Sequence, residues 1–138
     1  MAELDPDEIT ALRGEQAVLV LIVSTWEDGG APPNAEPLAR WLREEARDFR
    51  VSRTHLAGVK CAVLGLGNSI YGSTLHGKAA RDLDHALRAL SATAVLPVAV
   101  LDQDSGTDVA VQYQMWQDKL LRALSDGSVA DSHQRRAV

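Results

Sequence analysis

Seven consecutive apolar residues, Ala17-Val18-Leu19-Val20-Leu21-Ile22-Val23, run without a single polar alternation. A strand with one wet face alternates apolar and polar side chains, whereas a strand buried on both faces does not. The β-branched content favours a strand over a helix. The run is far too short to cross a bilayer. A second run, Val59-Lys60-Cys61-Ala62-Val63-Leu64, has the same character. Two such strands require cover on both sides, which limits the chain to layered architectures with a parallel sheet.

The intervening segments supply that cover. Asp5-Pro6-Asp7-Glu8-Ile9 opens a short helix, with Asp5 as cap, Pro6 in the first turn and Gly14 as the stop. Residues 24–33 form a Gly/Pro-rich loop, and Asn34 caps a helix predicted to run to Phe49 with Leu38, Trp41, Leu42 and Ala46 on one face. A helix from Gly77 to Leu90 turns Ala80, Leu83, Leu87 and Leu90 inward. Ala94 to Leu101 reads as a third strand, and Pro97 within it requires an edge or a bulge. Asp108 to Leu124 forms the last helix, with Val109, Tyr113, Trp116, Leu120 and Leu124 at helical spacing. The expectation is an α/β fold: a doubly wound parallel sheet of about three strands, helices on both faces, one domain over residues 1–124. Residues 125–138 are polar and are expected to be a disordered tail.

With 14 Lys and Arg against 19 Asp and Glu, the chain carries a net charge of -5 and does not advertise a broad grip on nucleic acid. Its one cysteine, Cys61, sits inside an apolar strand, as a small core residue would. The acidic N-terminus has no leader pattern, so a cytoplasmic protein without a membrane span is expected. His55, His76, His85 and His133 show no metal-ligand spacing, and no metal site is expected.

Parallel sheets bind ligands at the carboxyl ends of their strands. Two loops here stand at such ends: Ser24-Thr25-Trp26-Glu27-Asp28-Gly29-Gly30 and Gly65-Leu66-Gly67-Asn68-Ser69-Ile70-Tyr71. Each combines a hydroxyl, an aromatic ring and glycine, which lets backbone approach a flat ligand without an intervening Cβ. Trp26 and Tyr71 are placed to cover the two faces of one aromatic ring, each by stacking worth about 1 kcal/mol. Together the loops suggest a flavin site. The Gly-Leu-Gly turn lacks the full dinucleotide fingerprint, which disfavours NAD.

These two loops, with Pro33-Asn34-Ala35 between them, resemble the flavin-ring loops of flavodoxin-like FMN domains. Trp41-Leu42, Asp48-Phe49-Arg50, Thr54-His55-Leu56-Ala57-Gly58 and Trp116 are similar in turn to the N-terminal flavodoxin-like domain of the tRNA-wybutosine-synthesising radical-SAM enzymes. The resemblance spans roughly residues 5–124 and implies FMN as cofactor, held by Ser24, Thr25, Trp26, Glu27, Asp28, Gly29, Gly65, Leu66, Gly67, Asn68, Tyr71 and Asp102. Asp102 and Asp104 would join Glu27 and Asp28 in a negative field around the ring, which lowers its potential.

The resemblance also implies an electron-transfer role, with a radical-SAM iron–sulfur domain of the parent protein as partner and tRNA contacted only indirectly. No catalytic residue is assigned in this chain. Three departures stand out. The family's opening strand, phosphate loop, helix and second strand have no counterpart here, Trp26 replaces a Tyr, and the segment after Tyr71 is short and lacks Phe-Asn. Without a phosphate loop FMN is expected to bind weakly or not at all. The open edge of the strand at 17–23 is expected to pair with a second copy or with another segment of the parent protein. The rival reading is an interaction module that kept the fold and lost the flavin.

Overall fold

A computed structural model describes residues 6–13, 17–25, 30–33, 35–72, 76–125 and 134–137. The elements are α1 (Pro6–Thr10), β1 (Ala17–Ser24), α2 (Glu36–Arg47), β2 (Lys60–Gly67), α3 (Lys78–Ala89), β3 (Thr93–Ala94), β4 (Ala99–Asp102), α4 (Val109–Ser125) and β5 (Gln134–Ala137). All the strand pairs are parallel. β1 and β2 form the centre, in register from Val18 opposite Lys60 to Ser24 opposite Leu66. On the far side of β2 lie β3 and, farther along the same edge, β4, which pairs from Leu64 opposite Ala99 to Gly67 opposite Asp102.

The expected third strand is thus two short strands. Val95 to Val98 lies between them, with Pro97 at its centre, and both pieces sit on an edge. A proline has no N–H to donate to a ladder, so the interruption falls where that donor is missing.

The two apolar runs are buried on both faces. Leu19, Leu21, Val23, Cys61 and Val63 pack with Ile9, Leu38, Leu42, Leu83 and Leu87, so α1, α2 and α3 cover one face. Val18, Val20, Ala62 and Leu64 pack with Leu101, Trp116, Leu120 and Leu124, so α4 covers the other. The period of two in β1 and β2 sends alternate residues into opposite cores. Of the five residues at helical spacing on α4, Tyr113 is 38% exposed. It lies beside Trp116, with ring centroids 6.3 Å apart.

The C-terminal expectation is corrected in part. Gln134–Ala137 is a strand that pairs with Ala17–Val20, on the edge of β1 expected to pair with a second copy or another segment of the parent protein. Such pairing satisfies backbone groups that the edge would otherwise leave bare. The helix predicted to end at Phe49 ends at Arg47. Asp48 follows in an extended conformation, and its carboxylate accepts hydrogen bonds from Arg50 N and from the Arg50 guanidinium. Asn34, its predicted cap, lies outside the described residues, as do Asp5 and Gly14.

Candidate functional site

The carboxyl ends of β1, β2 and β4 meet at one end of the sheet. Gly65, Leu66 and Gly67 are not a turn, as expected, but the last three residues of β2, opposite Val100, Leu101 and Asp102. The chain leaves the sheet only at Asn68. There Asn68 Oδ1 accepts a hydrogen bond from Ile70 N at 3.0 Å and starts a 3-10 turn over Ser69–Tyr71. Gly72, with φ of 92°, ends that turn in a conformation that favours glycine.

Alternation along β2 decides what its glycines face. A Cβ on Gly65 would lie 2.8 Å from Ala80 Cβ, so this glycine lets α3 approach the sheet. A Cβ on Gly67 would lie 3.0 Å from His76 Nδ1 and 3.4 Å from Gly77 N. Both positions back onto α3 and its lead-in. Leu66 points to the other face and packs with the α4 core. The reason for these glycines is therefore close packing of helix on strand, not the approach of a ligand inferred from sequence.

Asp102 fastens the β2 loop to the end of β4. Its Oδ1 accepts from Ser69 N and from Asp104 N, each at 2.9 Å. These bonds hold its carboxyl below the ordinary 3.8, the Ser69 N–H foremost and the Asp104 N–H next, with burial opposing and His76 adding a small favourable field. Gln103 N donates to Gly67 O at 3.0 Å. Gln112 on α4 completes the fastening: it accepts from Asp102 N at 2.9 Å and donates to Asp102 O at 2.8 Å. Asp104 is exposed.

Thr25, at the end of β1, is occupied as well. Its Oγ1 accepts from Ala79 N at 3.0 Å and so caps the first turn of α3 from a distant strand. Gly77 precedes this turn with φ of 69°, and a Cβ there would collide with Val100 Cγ2. Ser24 is half-buried at the β1 terminus.

The structure thus brings Ser24, Thr25, Gly65, Gly67, Asn68 and Asp102 to one end of the sheet. Trp26, Glu27, Asp28 and Gly29 lie outside the described residues, and Tyr71 is described only in its backbone. The loop keeps groups to offer. Asn68 N–H and Nδ2 have no acceptor among the described residues, and Ile70 is 71% exposed. A backbone N–H and a carboxamide donor beside an exposed apolar surface suit the polar edge of a planar ring.

His76 was not singled out from sequence. Its buried Nδ1 has no hydrogen-bond partner among the described residues. Its only sequence signal is a place directly before Gly77, the residue whose left-handed backbone opens α3. Cys61 is buried, and burial, with Asp84 adding to it, pushes its thiol up to about 12, as an inert core thiol requires. Among the described residues no group of three or more His, Cys, Asp or Glu is arranged to hold a metal ion, and no helix is long and apolar enough to cross a membrane.

The Flavodoxin family pattern matches residues 1–116. The chain is 39% identical over 133 residues to the S-adenosyl-L-methionine-dependent tRNA 4-demethylwyosine synthase of Oryza sativa subsp. japonica, with 96% of this chain and 19% of the rice protein aligned. It is 34% identical to the corresponding synthase of Xenopus laevis, over 90% of this chain and 17% of that protein. The chain therefore spans less than a fifth of the length of these relatives. Among solved structures, a cysteine-to-alanine mutant of the flavodoxin from Pseudomonas aeruginosa superposes with a TM-score of 0.66 at 26% identity, over 90% of this chain and 75% of that one. This chain belongs to the flavodoxin family and is homologous to the N-terminal part of tRNA 4-demethylwyosine synthase.

Proposed function

We propose that this chain is an FMN-binding electron-transfer domain of a tRNA-modifying protein. The observation that carries the reading is the end of β2. A loop fastened by Asp102 and Asn68 stands at the carboxyl end of a central parallel strand, where ligands of such sheets bind, and leaves the Asn68 donors without acceptors among the described residues and Ile70 exposed. The family match and the relatives support the cofactor and the setting. Bound FMN would supply transfer of electrons singly or in pairs. The chain's own part is to hold the ring: Asn68 N–H and Nδ2 at its polar edge, Tyr71 and Trp26 over its faces, and Ser24 with Glu27, Asp28 and Gly29 on the loop opposite. Asp102 acts by holding that loop in place. The electrons would pass to an iron–sulfur centre in an S-adenosyl-L-methionine-dependent domain of the parent protein, with tRNA handled there.

A second reading, an interaction module without flavin, draws on a specific observation. Thr25 Oγ1 and Asp102 Oδ1 are both committed to holding the fold together. The test is an FMN titration followed by fluorescence quenching and by the visible absorbance of the bound ring. Saturable quenching with a shifted spectrum, weakened by Tyr71→Ala and by Trp26→Ala, is expected. Quenching that never saturates, or that ignores both substitutions, would overturn the flavin reading in favour of the second.

A further inference from the structure

A groove of about 570 Å³ runs between α2 and α3, on the sheet face away from α4. Its volume falls in the ordinary range for small-molecule sites. Its apolar lining is mostly alanine, with Ala39, Ala46, Ala86 and Ala89 among them and Leu83 the one larger apolar side chain.

The walls are charged unevenly. Arg43, Arg47, Arg53 and Lys78 face only Glu36 and Asp82, on a chain whose acids outnumber its Lys and Arg by 19 to 14. The two acids are engaged: Asp82 holds Lys78 at 2.6 Å, and Glu36 holds Arg40 at 3.2 Å with Arg43 at 3.9 Å. Glu36 opens α2, and Asp82 stands in the second turn of α3. Arg47, Arg53 and His85 stand toward the other end, beside Ala46, Ala86 and Ala89.

Basic residues at helix C-termini ordinarily offset the helix dipole, and Arg53 does so by donating to Ala46 O. Two helix ends carry about −0.5 charge each and Glu36 is shared between Arg40 and Arg43, which leaves roughly one and a half units of positive charge from the three guanidiniums. Arg47 has no side-chain partner among the described residues.

We propose that this end of the groove is a phosphate-binding site for a nucleotide, free or within an RNA strand. The phosphate would sit on Arg43, Arg47 and Arg53, with the apolar face of the base against the alanines. Guanidinium groups match phosphate oxygens in paired hydrogen bonds. The segregation of charge favours a compact anionic head over a long acidic helix. Such a helix would run its other end against Glu36 and Asp82. The proposal stands on different residues from the flavin reading and does not depend on it.

The test is a titration of the whole chain, followed residue by residue through its amide resonances. The probes are GMP, guanosine, a short unstructured oligoribonucleotide and an oligoglutamate peptide. GMP is expected to give saturable shifts centred on Ala46, Arg47, Ala86 and Ala89, with guanosine about tenfold weaker or worse. Arg47→Ala should weaken GMP about tenfold, while Arg122→Ala, on the opposite face of the sheet, should leave it unchanged. An oligoribonucleotide that binds more tightly than GMP and loses affinity with salt assigns the site to RNA; equal affinity assigns it to the free nucleotide. No saturable shift with either nucleotide probe, indifference to Arg47→Ala, guanosine equal to GMP, or tighter binding of oligoglutamate would each overturn the proposal.

Discussion

Gly65→Ala separates two explanations for a glycine at the end of a central strand. If Gly65 serves ligand access, alanine should impair ligand binding and leave the fold intact. The structure indicates the opposite. The added Cβ would sit 2.8 Å from Ala80 Cβ and 3.3 Å from Val100 Cγ2, whereas carbon atoms in good contact stand about 3.5–4.0 Å apart. Ala80 is buried on α3 and has no flexible end to give way. Overpacking of this kind costs about 1–3 kcal/mol, against which the stiffer unfolded chain returns about 0.4–1 kcal/mol. A net loss of about 1–2 kcal/mol is expected, read as a lower urea midpoint at unchanged slope. Ala80→Gly alone should cost about 1 kcal/mol in helix propensity. In the double variant the 2.8 Å contact with Ala80 Cβ disappears and only the milder one with Val100 remains, so the two losses should sum to less than their separate values. Strict additivity, or a Gly65→Ala variant as stable as the parent, would refute the packing argument.

Two further substitutions test the fastenings of the loops. Thr25→Val removes the acceptor for Ala79 N and should cost about 0.5–2 kcal/mol in urea unfolding, with faster exchange of the Ala79 amide. Asp102→Ala should free the Ser69 and Asp104 amides to exchange. The folded chain holds the Asp102 carboxyl below its ordinary 3.8, so its contribution is full above that value and is lost as pH falls through the lower folded one. The stability gap between parent and Asp102→Ala should therefore be flat above about pH 5 and close on acidification, and a gap that widens in acid would contradict the assignment.

The use of strand-end groups as fastenings bears on how far this site was legible. Residue type and spacing placed Ser24, Thr25, Gly67, Asn68 and Asp102 near one another, because parallel strands with helical crossovers put consecutive strand ends on one side. What each group does there depended on neighbours far along the chain. The hydroxyl of Thr25 meets an amide 54 residues away, and Asp102 meets one 33 residues away. Gly65 and Gly67 look alike in sequence to glycines that admit a ligand. Only the arrival of Ala80 and His76 beneath them shows what they admit.

By itself the sequence determined the class of fold. Unalternating apolar runs demand burial on both faces, and the helices between them have apolar faces that supply it; Leu19 and Val20 accordingly lie in opposite cores. Tertiary structure decided the edges and the roles. The strand broken around Pro97, the pairing of Gln134–Ala137 with β1 and the groove between α2 and α3 arise from contacts between distant segments. A local pattern records which side a residue must bury, since that follows from strand and helix period alone. It does not record which partner will meet that side, since that is set by where the other elements come to rest.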